Sequence, residues 1–305
     1  MQNFRFIDLF AGIGGTRLAF ERAGFHCVFS SEWDQFSRQT YFANFLEHPE
    51  GDIAKIQSES IPEFDVLVGG FPCQPFSSVG LRQGFEHKTQ GTLFYEIERI
   101  LRDKRPSAFL LENVKGLISH NRGETWKVIR ESLGDLGYFF DARVQNSKYF
   151  GVPQSRERLF IVGFRDEIVF DRFSFPEEKT EVPNIGDFLE EDPQGYQISA
   201  HLQATYLYKV ADGRPQVINS ASKGAVKTLV ASYHKIQRLT GTFVEGGPTG
   251  MRLLSEAECK ALMGFPKDFI VPVSRTQMYR QFGNSVVVPH VAILAQSIRS
   301  ALEAK

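Results

Sequence analysis

Cys73 sits in "GGFPCQPFS", between Pro72 and Pro75 and just after an apolar run that ends in two glycines. Proline on both sides fixes its own φ and restricts the residues before it. The thiol is therefore presented on a loop whose shape is partly set in advance, a setting that suits a nucleophile. The other two cysteines, Cys27 and Cys259, fall on an apolar strand and an apolar helix face, where free cysteines behave as small hydrophobes. Further groups with chemistry follow other apolar runs. Glu112 and Asn113 close "FLLENV"; an enclosed carboxyl there can exchange a proton with a heterocycle. Arg156 and Arg158 open "RERLFIVGF", two apart and so on one face of a strand. Two guanidiniums suit an anionic or carbonyl-bearing substrate and lower the pKa of a nearby thiol.

A second set of residues points to a nucleoside. "DLFAGIGG", Asp8 to Gly15, reads as strand, glycine turn and helix start, which offers free N–H groups. It is not the dinucleotide fingerprint, because the third glycine position holds Arg17. A pyrophosphate cradle is disfavoured, and with it a dinucleotide-dependent oxidoreductase; a nucleoside carrying a carboxylate remains open. Glu32 follows the next strand and can accept from both hydroxyls of a ribose. Trp33 beside it offers a ring to lay against adenine, and Asp52 in "EGDIAKI" offers an acceptor for an amino group.

These residues need a scaffold that places strand ends together. The first half of the chain interleaves short apolar runs (Phe4–Phe10, "HCVFSSE", "FDVLVGG", "SAFLLENV", "RLFIVGF") with amphipathic segments such as "GTLFYEIERILRD" and "TWKVIRESLGDLG". That alternation predicts a parallel sheet covered on both faces, with its ligand beyond the carboxyl ends of the strands. After Phe164 the character changes. Asp166 to Tyr196 carries ten acidic against two basic residues, and Gln197 to Arg252 carries seven basic against two acidic ones. The first stretch reads as a solvated face or linker, the second as an irregular, mostly β, locally basic module. Helix then returns in "SEAECKALMGF", where Ser255 and Glu258 have capping-box spacing.

Composition sets the bounds. The 305 residues are 42% hydrophobic and 23% charged, which is ordinary globular composition. A net charge of −1 gives no global signal for nucleic acid, so a polyanion site has to come from local clustering. Three dispersed cysteines exclude a disulfide framework and a cysteine zinc site, and suit a reducing cytosol. No stretch reads as a signal peptide or membrane span. The expected protein is soluble and cytoplasmic.

Taken in order, the motifs resemble the C5-cytosine DNA methyltransferases, in particular the compact bacterial enzymes of restriction–modification systems. "DLFAGIGG", Glu32, "GDI" (Gly51 to Ile53), "GGFPCQPFS", "ENV", "QSRER" and "RQFGNSVVVP" stand in the family's order across nearly the whole chain. The basic module occupies the place of the family's variable target-recognition region, with Thr228 and Leu229 similar to its Thr-Leu pair. The resemblance implies an α/β fold: a class I, Rossmann-like S-adenosylmethionine-dependent large domain (1–185 plus 284–305), a small recognition domain (186–254) and a connecting region (255–283). It implies attack on cytosine carbon 6 by Cys73, with Glu112 at the ring N3 edge, Arg158 at the ring carbonyl, and Arg156 supporting the thiolate and a phosphate. S-adenosyl-L-methionine would be held by Phe10, Gly12, Ile13, Gly14, Glu32, Trp33, Asp52, Ile53, Phe71, Pro72, Leu93, Asn284 and Ser285, leaving S-adenosyl-L-homocysteine, with no metal. Double-stranded DNA would be the partner, touched by Gln74, Ser77, Ser78, Lys223, Lys227, Thr228 and Arg238. A monomer, bacterial or phage-encoded and working beside a cognate restriction endonuclease, is the implied setting. Two rivals stay in view: a tRNA cytosine methyltransferase, because one branch of the family acts on RNA with these motifs, and a non-catalytic DNA-binding relative.

Overall fold

Alternation of side chains along the strands decides which helices lie on which face. The computed structural model describes residues 3–71, 93–179 and 181–304. Its main sheet is built from β1 (Arg5–Leu9), β2 (His26–Ser31), β3 (Val66–Gly70), β4 (Ala108–Val114), β5 (Phe139–Asn146) and β7 (Glu157–Phe164), in the order β2-β1-β3-β4-β7-β5. The two-residue β6 (Gln154–Ser155) precedes β7. Phe6, Val66, Val68, Leu110 and Phe160 face one side of the sheet, packed with α1 (Gly15–Arg22) and the closing helix. Ile7, Leu9, Leu67, Leu111 and Ile161 face the other, packed with helices at Leu93–Lys104 and Glu124–Asp135. Period-2 strands with both faces apolar are what a sheet buried between helix layers requires. In chain order the helices are α1, α2 (Gln35–Phe45), α3 (Leu93–Lys104), α4 (Glu124–Asp135), α5 (Glu167–Arg172), the one-turn α6 (Ala200–Leu202), α7 (Glu256–Met263), α8 (Arg275–Asn284) and α9 (Val288–Glu303).

The sheet departs from the expected parallel arrangement at one edge. β2, β1, β3 and β4 run parallel, whereas β7 pairs antiparallel with both β4 and β5. β5 and β7 form a hairpin-like pair, a connection that needs no crossover helix. The antiparallel register sets Arg158 opposite Val114 on β4.

The basic module holds a three-stranded sheet of β8 (Gln216–Ile218), β10 (Thr242–Glu245) and β11 (Met251–Arg252). The short β9 (Val226–Lys227) leaves the module and pairs with β6. Ile218, Phe243 and Met251 share a continuous apolar core with α7, α8 and α9. By length and composition Arg275–Glu303 would pass for a membrane span, but it comprises two helices, α8 and α9, and α9 packs against α1 and the sheet core.

The capping box at α7 forms as its spacing predicts. The Glu258 N–H donates to the Ser255 hydroxyl at 3.1 Å, and the Ser255 N–H donates to Glu258 Oε2 at 2.8 Å. The same carboxylate receives both terminal nitrogens of Arg252 at 2.8 Å each, with both side chains buried. Glu258→Ala should therefore cost about 3–5 kcal/mol, because it leaves Arg252 buried without its counter-charge. A urea midpoint that drops at unchanged slope would register that loss; an unmoved midpoint would show that the pair contributes nothing.

Candidate active site

The glycine turn after β1 is the floor of a cleft. Phe10 and Gly12 have φ of 59° and 56°, and Gly14 has φ of 87°. Left-handed backbone is rare for a bulky residue such as Phe10 and costs it strain. Gly15 is required by close approach: a Cβ there would lie 2.6 Å from Ser285 Oγ. The turn opens into a cleft of about 470 Å³, its solvent-filled mouth included, lined by Phe10 to Ile13, Gly15, Thr16, Ser37, Gly70, Glu112, Gln281 and Asn284 to Val286. Of the residues expected to hold the cofactor, Phe10, Gly12, Ile13, Asn284 and Ser285 thus meet in one wall.

The others occupy strand ends around it. Glu32 is buried, and its carboxylate is already engaged: Oε2 accepts from the Gly12 N–H at 2.8 Å and Oε1 from the Asp34 N–H at 2.7 Å. It ties the glycine turn to β2. A carboxylate has about four acceptor positions, so lone pairs remain for a ribose. Burial pushes the Glu32 carboxyl up, and the two N–H donors oppose that. Trp33 is 77% exposed and leaves a full ring face free. Asp52 caps a short 3₁₀ turn, accepting from the Ala54 N–H at 3.1 Å, and Ile53 beneath it is buried. A Cβ at Gly14 would collide with the Phe45 ring. Phe71 is buried, and Leu93 begins α3. Pro72, Cys73, Gln74, Ser77 and Ser78 lie outside the described residues. Thr16, Ser37, Gln281 and Val286 line the cleft without having been singled out in the sequence. Gln281 stands three residues before Asn284 and could have been found from that; Ser37 carries no comparable signal.

Two residues of "ENV" serve different ends. The Glu112 carboxylate borders the cleft and pairs with Arg158, Nε to Oε1 at 2.8 Å, both side chains mostly buried. Asn113 is buried and donates from Nδ2 to the Phe71 carbonyl at 2.8 Å. It thereby fixes the backbone at the exit of β3, the last described residue before the proline-flanked cysteine.

Arg156 has a different place from the one expected. It lies between β6 and β7 and is 2% exposed. Its nitrogens donate to the carbonyls of Leu229 at 3.0 Å, Gly283 at 3.0 Å and Ser285 at 2.6 Å. The guanidinium thus pins the basic module to the cleft wall, and those donors are taken by backbone carbonyls. Burial and the neighbouring Arg158 push its pKa down to about 9. Gln154 works beside it, accepting from the Leu229 N–H at 3.0 Å and donating to the Leu262 carbonyl at 2.9 Å.

The expected DNA contacts divide in the same way. Lys223 is exposed. Lys227 gives its ammonium to the Leu239 carbonyl at 2.9 Å, and Thr228 gives its hydroxyl to the Ser155 carbonyl at 2.6 Å. Arg238 bonds Leu207, Val210 and Asp212 within the module. In an irregular module with little regular backbone pairing, long polar side chains are recruited to satisfy buried carbonyls. Cys27 and Cys259 are buried, and burial pushes the Cys27 thiol up to about 12 and the Cys259 thiol well above its ordinary range. No cluster of metal-ligating side chains occurs among the described residues.

Asp8, the first residue of the glycine motif, is buried with no hydrogen-bond partner for Oδ2. Burial raises its pKa from an ordinary 3.8 to about 8, against the pull of Arg17. Between those values the native protein retains a proton that the unfolded chain has released. Stability from this group therefore falls as pH rises from about 4 to about 8, by up to about 1.4 kcal/mol per pH unit. Asp8→Asn should flatten that slope in urea titrations at pH 5 and pH 8; parallel slopes for the two proteins would refute it.

The sequence profile described as C-5 cytosine-specific DNA methylase matches residues 4–300. The chain belongs to that family. It is 55% identical over 301 residues to the type II methyltransferase M.MspI of Moraxella sp, covering 99% of this chain and 72% of that one. It is 55% identical over 299 residues to M.BsuFI of Bacillus subtilis (97% and 73% covered) and 37% identical over 320 residues to M.HhaI of Haemophilus parahaemolyticus (100% and 97% covered). Among solved structures, S. pombe Dnmt2 superposes with a TM-score of 0.79 at 20% identity over 99% of this chain and 100% of that one. The Entamoeba histolytica methyltransferase EhMeth superposes at 0.78 and 18% identity over 100% of both; these likenesses establish the fold. The protein is thus a DNA cytosine-5-methyltransferase of the type II kind, with the Rossmann-like architecture expected from its motifs. Membership in this DNA methylase family implies S-adenosyl-L-methionine as methyl source.

Proposed function

We propose that this methyltransferase transfers the methyl group of S-adenosyl-L-methionine to carbon 5 of a cytosine flipped out of a short duplex site, through a covalent adduct with Cys73. The observation that carries this reading is the Glu112–Arg158 ion pair at the edge of the cleft, where a carboxylate and a guanidinium are presented together. The cleft fits the donor. A Cβ at Gly15 would crowd Ser285, the space over Gly12 is open, Glu32 retains lone pairs, and the Trp33 ring is exposed. Phe10, Gly12, Ile13, Asn284 and Ser285 would hold the donor, with Glu32, Trp33 and Asp52 toward its adenosine. Bound there, it supplies a methyl group on an electron-poor sulfonium.

Carbon 5 of cytosine is a weak nucleophile. Addition of the Cys73 thiolate at carbon 6 makes the ring enamine-like, which is nucleophilic catalysis. Glu112 hydrogen-bonds the N3 and amino edge as that ring gains charge, and Arg158 donates to the ring carbonyl. After methyl transfer a proton leaves carbon 5 and the thiolate is expelled, restoring the aromatic ring. None of these atoms is reachable inside a stacked duplex, so the base must be extruded, at a few kcal/mol that DNA contacts offset. Lys223 is exposed on the module and would meet phosphate. Lys227 and Arg238 hold the module's shape, and Thr228 ties it to β6 through the Ser155 carbonyl. Residues 186–254 set the target site in this reading, joined through 255–283 to a catalytic unit of 1–185 and 284–305.

Incubation with labelled methyl donor and either duplex DNA or tRNA tests the reading, with bisulfite sequencing of DNA from expressing cells giving site and base. Label in duplex cytosine is expected. Label in tRNA alone would transfer the assignment to RNA.

A further inference from the structure

The wall of the cleft contains a buried donor that nothing in the protein satisfies. Gln281, on α8, is 5% exposed, and its Oε1 accepts from the Thr40 hydroxyl at 3.0 Å. Thr40 is itself fully buried on α2. The amide nitrogen of Gln281 is buried and has no acceptor among the described residues. Leaving such a donor unpaired is costly to a folded protein. One end of the amide is therefore held in orientation by a buried hydroxyl, while the other is unpaired on a residue that lines the cleft.

The surroundings say what kind of acceptor completes it. Gly15 and Thr16 line the same cleft and form the first turn of α1, which has no side-chain cap. The uncapped start of a helix favours negative charge. Glu32, on the other flank, is an acceptor and suits hydroxyl donors. The donors at Gln281 and at the α1 start call for an anion. We infer that the Gln281 amide donates to the carboxylate of the amino-acid portion of the bound nucleoside, as a binding residue of the methyl-donor cleft. This rests on the reading of that cleft as the S-adenosyl-L-methionine site.

The test compares two ligands that share adenosine and thioether and differ in the carboxylate. S-adenosyl-L-homocysteine carries it and 5′-methylthioadenosine does not. Titration calorimetry on the full chain and on Gln281→Met, which keeps the volume and loses the donor, measures both. Gln281→Met should bind S-adenosyl-L-homocysteine about tenfold more weakly, or about 1.4 kcal/mol. Its affinity for 5′-methylthioadenosine should stay unchanged, and its ligand-free Tm should be equal or higher, because an unpaired buried donor has been removed. Thr40→Val, which frees Oε1, should show a smaller loss confined to the same ligand. Equal losses for both ligands, or none for S-adenosyl-L-homocysteine, would overturn the inference, as would a lowered Tm with unchanged affinities. A wild-type chain that binds neither ligand would overturn the reading of the cleft itself.

Discussion

Cys73→Ser is expected to abolish methyl transfer to duplex DNA and to leave duplex binding in place. A serine hydroxyl is similar in size to a thiol but far less acidic, and no general base is needed to activate a thiol already partly ionised near neutral pH. Loss of a covalent nucleophile in an otherwise intact site costs on the order of 10⁴-fold or more in rate. Single-turnover transfer of labelled methyl gives the rate, and a gel-shift titration gives the binding. The two readouts separate chemistry from folding: a misfolded mutant loses both. Transfer at near wild-type rate would remove Cys73 from its role and leave the proline-flanked loop without a catalytic purpose.

Glu112→Gln is expected to lower the chemical rate by about 10²–10⁴-fold, the range for a positioned acid–base group. Glutamine keeps the size and an acceptor but lacks the negative charge that a protonated ring nitrogen requires. It also loosens Arg158, whose Nε now meets a carboxylate at 2.8 Å. The two residues should therefore act as a unit. Arg158→Ala in the Glu112→Gln background should cost much less than in the wild type, a non-additivity that a double-mutant cycle measures. Fully additive losses would mean that the pair in the structure has no bearing on catalysis.

The two layers of helices and the strand-end location of the site were readable because both follow from local periodicity. "FRFIDLF" alternates toward two apolar faces, and Glu112 closes a run that has to be a buried strand. The antiparallel β7 was not readable, because strand direction depends on which edge a hairpin returns to, and "RLFIVGF" looks the same either way. Arg156 shows the limit for charged residues. Its spacing from Arg158 suggested two guanidiniums on one strand face toward a substrate, yet three carbonyls from segments remote in sequence take its donors. Lys227 and Arg238 likewise bond carbonyls of their own module, because a basic residue in a loop-rich module is as useful for tying carbonyls as for meeting phosphate. Gln281 escaped notice because its partner, Thr40, is 241 positions away.

That separation has a consequence for how the protein comes into being. The two walls of the cleft are made by segments near opposite ends of the chain, and the contact between them is among the most non-local in the molecule. Contacts of this kind form late, after the entropy of closing a very long loop has been met. While synthesis runs from the amino end, the glycine turn emerges early and waits for α8 and α9. A nascent chain that has not yet made α8 and α9 would carry the cysteine loop and yet lack one wall of the cleft.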